Sequence, residues 1–181
     1  MAQQFSSAGV LLAAGAGTRF GMPKVLAAEG SWLRAGVAAL HDGGCRDVVV
    51  VLGAAVVDVP APARAVIAED WADGLSASVR AGVRAVDQTA DYLVLTTVDT
   101  PDVAAAAVRR VLTAASAESG LARAVYDGRP GHPVVIARRH WPELLGVLSG
   151  DDGAGPFLRR RDDVVVVDCA DLGTGRDIDA L

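Results

Sequence analysis

The chain is 181 residues long, 51% hydrophobic and 4% aromatic, with 17 basic against 22 acidic residues and a formal charge of −5. This length supports one domain, residues 1–181, with a substantial core. The acidic balance excludes a general nucleic-acid or membrane-surface binder, so an anionic ligand must be held by local donors.

The opening residues, MAQQFSSAG, carry no basic region and no long apolar core, which argues against a signal peptide. No run approaches membrane-spanning length, and a cytoplasmic enzyme is the expectation. Ala8 to Ala13 reads as a first, fully buried strand. Ser31 can cap a helix carrying Trp32, Leu33, Val37 and Leu40 that stops at Gly43-Gly44. Cys45 and Cys169 lack metal-ligand spacing and read as buried free thiols. Asp47 to Leu52 is a second buried strand, Ala63 to Ala68 a shorter third, and Ser76 to Val86 a helix with Val79, Val83 and Val86 on one face. Tyr92 to Val98 is a strand ending on Asp99, and Asp102 is the expected cap of a helix from Val103 to about Ala117. Ala122 to Tyr126 and Pro133 to Ala137 read as two strands around the loop DGRPGH. A helix over Arg139 to Leu148, a short helix after GDDGAG and a last strand from Asp162 to Asp168 complete the chain.

Alternating strands and helices predict a mostly parallel sheet with helices on both faces, and the 122–137 pair an antiparallel addition. Ligands of such sheets sit beyond the carboxyl ends of the strands. There the sequence places Gly15 to Lys24, Gly53, Glu69 to Ser78 and Asp99. Gly15, Gly17 and Gly21 form G-x-G-x-x-x-G, one residue off the dinucleotide fingerprint, and Gly21 and Pro23 would break the helix that fingerprint opens. The loop also carries two cations, Arg19 and Lys24, and Lys24 is the sole lysine of the chain. A compact ammonium among arginines suits a phosphate whose geometry changes during reaction.

LLAAGAGTRFGMPK resembles the L-A-A-G-x-[SG]-x-R-[FM]-G-x-x-K signature of the MobA-like nucleotidyltransferases, closest to the molybdenum cofactor (molybdopterin) cytidylyltransferases. The likeness recurs in GLSASVRAGV, LTTVDTP, GRPGHPVVI, GDDGAGPFLRR and GRDIDAL. It implies a Rossmann-like three-layer α/β fold of the nucleotide-diphospho-sugar transferase type. The implied reaction moves a nucleoside monophosphate, CMP from CTP, onto a phosphate-bearing acceptor, molybdopterin, with Mg²⁺ as cofactor and a molybdoenzyme as receiver of the product. By this resemblance Lys24, Arg19 and Asp99 are catalytic. Leu12, Ala13, Ala14, Gly15, Ala16, Gly17 and Thr18, with Arg19 and Lys24, hold the nucleotide's phosphates, and Gly74, Ser76 and Ser78 its base and ribose. Asp99 meets the metal together with Asp177 or Asp179, and His132 and Asp151 lie on the acceptor side. The chain departs from the pattern at Thr100, at Gly155-Pro156 where an arginine is usual, and in AAEGSWLRAG after the lysine. These departures keep a sugar or alcohol phosphate open as acceptor. An NAD(P)-binding oxidoreductase is the alternative from another class.

Overall fold

In a computed structural model, residues 4–180 are described; the first three residues of the N-terminal stretch and the last of GRDIDAL lie outside the described residues. The strands are β1 (Ser7–Ala13), β2 (Asp47–Leu52), β3 (Arg64–Ile67), β4 (Tyr92–Thr97), β5 (Leu121–Tyr126), β6 (Arg129–Ala137) and β7 (Val165–Asp168). The helices are α1 (Ala27–Asp42), α2 (Leu75–Ala85), α3 (Ala105–Ala117), α4 (Trp141–Val147) and α5 (Gly155–Arg159). The strands form one seven-stranded sheet in the order β3-β2-β1-β4-β6-β5-β7. Only β6 runs against its neighbours, pairing antiparallel with β4 and β5, while β7 pairs parallel with β5.

Both faces of the sheet are covered, which is why its central strands read as unbroken apolar runs. Leu11, Val48, Val50, Leu52 and Val94 pack toward α1 and α3. Val10, Leu12, Val49, Val51, Leu93 and Leu95 pack toward α2, α4 and α5. Cys45 and Cys169 are buried free thiols, as expected from their spacing. No helix among the described residues is long and apolar enough to cross a membrane.

Several expected boundaries shift for identifiable reasons. The entry to α1 is a left-handed turn, with positive φ at Ala28, Glu29 and Gly30, and regular helix follows from Ser31. Asp102 does not cap α3, whose N-cap position is Ala104. Its carboxylate instead accepts hydrogen bonds from the Thr174 amide at 2.7 Å and hydroxyl at 2.6 Å. The expected DGRPGH loop shrinks to a two-residue turn at Asp127-Gly128, both with positive φ, so Arg129 to His132 join β6. The last strand starts only at Val165.

Candidate active site

A cleft of about 600 Å³ opens at the carboxyl ends of β1 and β4. Its floor is the unbroken run Leu12 to Phe20, and its other walls include Lys24, Gly74, Ser78, Asp99, His132, Asp151, Asp177 and Asp179. All the site residues that the family resemblance names therefore line one cavity, with the exception of Ser76. Ser76 is buried, and its amide donates to the Gly150 carbonyl at 3.1 Å, so it holds the loop that presents Asp151.

The path of the glycine loop follows from two residues. Gly17 has φ +63°, and a Cβ there would stand 1.8 Å from the Met22 carbonyl oxygen. Only glycine allows this close return. The Gly21 amide closes the loop onto the Gly17 carbonyl at 2.8 Å. After Pro23, the single 3-10 turn Lys24–Leu26 carries the lysine side chain back across the cleft. Its Nζ donates to Asp99 Oδ2 and to Asp179 Oδ1, both at 3.0 Å. Burial opposes the lysine's charge, but the hydrogen bonds to Asp179 and Asp99 outweigh it, and its pKa lies above the ordinary value.

Asp99 sits on the turn after β4. The Thr100 hydroxyl closes that turn on the Thr97 carbonyl at 2.9 Å, which gives the departure at Thr100 a structural purpose. The C-terminal segment runs beside it, and the Ile178 amide donates to the Asp99 carbonyl at 2.9 Å. Asp177 and Asp179, on either side of Ile178, both reach the cleft. Asp177 is an exposed residue whose carboxyl is partly desolvated. That desolvation, then the charges of Asp99 and Asp179, raise its pKa against the opposing pull of Lys24. Half-buried His132 is pushed down to about 4 by burial; Asp99 opposes this and Arg123 adds to it, so its imidazole is neutral at pH 7.

Three carboxylates thus face one ammonium. Their hard oxygens and surplus negative charge suit Mg²⁺ or Mn²⁺. Among the described residues no cluster of three side chains is already gathered around a metal position. Phe20, Trp71 and Leu75 lie in segments that the sequence places at the ligand end of the sheet but gives no role, and they also line the cleft. Trp71 leans on Gly53, where a Cβ would meet its side chain at 2.6 Å. The scarcity of aromatics was the available signal for it.

The MobA-like NTP transferase domain matches residues 9–164. The chain belongs to the MobA-like NTP transferase family. It is a nucleotidyltransferase by family, with the expected α/β fold. It is 37% identical over 189 residues to the nicotine blue oxidoreductase of Paenarthrobacter nicotinovorans, covering 96% of this chain and 92% of that one. It resembles the crystal structure of Rv0371c from Mycobacterium tuberculosis H37Rv with a TM-score of 0.78 and 26% identity, over 98% of this chain and 95% of that one. A nucleotidyl transferase from Methanothermobacter thermautotroptrophicus, Mth528, shares the fold with a TM-score of 0.70 at 23% identity, over 90% of this chain and 87% of that one.

Proposed function

We propose that this MobA-like chain, as one cytoplasmic domain, transfers CMP from CTP to the phosphate of a molybdopterin-type acceptor. An acceptor phosphate oxygen attacks the α-phosphorus and forms a new P–O–P linkage. The bond from that phosphorus to the β-phosphate bridging oxygen breaks, and pyrophosphate leaves. On this reading the product passes on to a molybdoenzyme. The observation that carries the reading is the convergence of Lys24, Asp99 and Asp179 over a glycine loop in one cleft.

No covalent nucleophile is needed for such a transfer; alignment and charge neutralisation do the work. Arg19 and Lys24 hold the triphosphate on the loop from Leu12 to Thr18. Gly74 and Ser78 flank the base and ribose, and Ser76 supports them through the Gly150 loop. Asp99, with Asp177 or Asp179, would hold Mg²⁺, which when bound neutralises charge on the phosphates. Neutral His132 and Asp151 face the acceptor.

A second reading rests on the relative named nicotine blue oxidoreductase, at 37% identity over nearly the whole chain. On it the same glycine loop receives a nicotinamide dinucleotide, and the reaction is a hydride transfer between that dinucleotide and a second substrate. A thermal-shift panel separates the two: CTP, GTP, ATP, UTP and NAD⁺, each with and without Mg²⁺. A ligand at about 100 times its Kd adds roughly 2.7 kcal/mol, which such a panel detects readily. Stabilisation greatest with CTP and Mg²⁺ is expected. Stabilisation by NAD⁺ and by no triphosphate overturns the transferase reading in favour of the oxidoreductase.

A further inference from the structure

The chain has three tryptophans, and two of them have a structural use. Trp141 is buried, and its indole N–H donates to the Ile136 carbonyl at 2.9 Å. Trp32 is tilted against Phe20, with ring centroids 5.3 Å apart. Among the described residues Trp71 has neither kind of partner: no aromatic ring packs on it, and no acceptor meets its indole N–H. It is only partly buried, and its open part is a wall of the cleft. In a chain that is 4% aromatic, an indole left facing a cavity marks a ligand surface.

The seat of this indole is built. Trp71 opens the 3-10 turn Trp71–Asp73 between β3 and α2. The turn is fastened by the Trp71 amide on the Ala68 carbonyl at 3.1 Å and by the Gly74 amide on the Trp71 carbonyl at 3.2 Å. A Cβ at Gly53 would stand 2.6 Å from both Cβ and Cγ of Trp71, and 2.8 Å from the Ala14 carbonyl oxygen. Glycine at 53 therefore lets the Trp71 side chain down onto the end of β2, beside the start of the glycine loop. There it packs against the apolar cluster that contains Leu12, Ala14 and Ala68.

The charges of the cleft decide which part of a ligand lies there. Apart from neutral His132, the basic side chains among its lining residues are Arg19 and Lys24. The wall around Trp71 is Ala72, Gly74 and Leu75, without a cation, and exposed Glu69, Asp70 and Asp73 flank it in sequence. Phosphates are therefore drawn to Arg19 and Lys24, and the uncharged end of a nucleotide to Trp71. The sheet order gives the spacing. Trp71 stands over the end of β2, the glycine loop follows β1, and Asp99 follows β4, on three successive strands. Two strand spacings, about 10 Å, separate the first from the last. A ribose and its first phosphates bridge such a gap.

We propose that Trp71 is the platform on which the heteroaromatic ring of the bound nucleotide stacks, which aligns its phosphates along the glycine loop. Gly74 and Ser78 offer no surface on which a ring can stack; Trp71 supplies it. Every base has a π face, so the platform selects for a planar ring and leaves the choice of base to polar groups. That the nucleotide is a triphosphate rests on the nucleotidyl-transfer reading; the platform does not.

The test titrates the full chain calorimetrically with CTP·Mg²⁺ and with tripolyphosphate·Mg²⁺, which carries the phosphates without the ring. Trp71→Leu keeps an apolar side chain on Gly53 and removes the stacking surface. Its CTP affinity should fall about 10-fold or more, while its tripolyphosphate affinity stays within about 2-fold of the wild type. Trp71→Phe should recover CTP affinity to within about 3-fold. Bound CTP should quench tryptophan emission in the wild type and leave it unchanged in Trp71→Phe, which still binds. The proposal is overturned if Trp71→Leu binds CTP·Mg²⁺ like the wild type, or if it loses tripolyphosphate equally, as a purely structural role requires. It is also overturned if Trp71→Phe is as weak as Trp71→Leu, or if quenching persists in Trp71→Phe. Where Trp71→Leu does not fold, the quenching comparison decides. A wild type that binds NAD⁺ and no triphosphate sinks the transferase reading alone. The same variants are then titrated with NAD⁺: loss in Trp71→Leu with recovery in Trp71→Phe sustains the platform, and no loss overturns it. A wild type that binds neither ligand overturns both readings.

Discussion

Replacing Lys24 by Met removes the ammonium and keeps most of its stem. The stability cost should be small. Asp179 is 64% exposed, so its contact with Lys24 is a surface ion pair worth at most about 1 kcal/mol. The Asp99 contact is better shielded, with the two side chains 16% and 23% exposed. A hydrogen bond between charged groups is worth about 1.5–3 kcal/mol, part of which returns when the lysine no longer has to be desolvated. The net loss should be about 1–2 kcal/mol, or ~2–8 °C in melting temperature at this chain length. The ligand response should fall far more. Losing one charge-assisted contact to a triphosphate costs about 2–3 kcal/mol, so affinity drops on the order of 100-fold. CTP supplied at about 100 times the wild-type Kd then sits near the variant's own Kd, and its stabilisation falls from roughly 2.7 to about 0.4 kcal/mol. The assay is a thermal shift with CTP and Mg²⁺ on both proteins, with circular dichroism to confirm the fold. A folded Lys24→Met protein that keeps most of the wild-type ligand shift would refute the role given to the ammonium.

Two further substitutions probe the frame of the cleft. Gly74 has φ +117°, and a Cβ there would meet the Gly150 carbonyl oxygen at 2.4 Å and Asp151 Oδ1 at 2.7 Å. Gly74→Ala should therefore cost about 2–4 kcal/mol through backbone strain and loss of the Ser76–Gly150 bond. Gly128→Ala, at a positive φ with open space around it, should cost only about 1–2 kcal/mol; urea denaturation of both variants checks the ranking. The buried imidazole of His132 sets a pH dependence. Its folded pKa of about 4 lies below the ordinary 6.5, so the unfolded chain binds the proton more readily between these values. The stability this contributes is fully present above pH 6.5 and is lost as pH falls toward about 4. Melting curves of wild type and His132→Gln from pH 7 to 4 should converge if this is right, with the variant flatter on the acid side.

Much of this architecture is legible because it obeys local rules. The central strands are buried on both faces and announce themselves as nearly unbroken apolar runs. The Asp127-Gly128 turn carries a recognised hairpin signal, but the glycine and prolines after it masked the strand that follows. The features that escaped are tertiary. Asp102 looks like a helix cap until Thr174, 72 residues later, takes both of its hydrogen bonds. Nothing local distinguishes Asp177 from Asp179. Only the folded chain shows that Lys24 reaches Asp179, while Asp177 is left with a raised pKa. Arg123 reads as one more arginine until the register places it inside the sheet.

The lone lysine ties these threads together. An arginine fork would bind one carboxylate in two parallel hydrogen bonds, whereas an ammonium can serve two carboxylates that approach from different directions. Lys24 does this with Asp99 and Asp179. While it serves both, it has little left for a phosphate. Of its two partners, Asp179 is the exposed one and the easier to release. A nucleotide arriving without a divalent cation must therefore break an existing ion pair and leave carboxylates uncompensated beside its own phosphates. On the proposed transferase reading, a cation arriving with the nucleotide would give those carboxylates a new partner and free the lysine. On the transferase reading, triphosphate and metal must then stabilise the fold more together than the sum of their separate effects. A nicotinamide dinucleotide, with two phosphate charges and no required metal, gains nothing from this exchange.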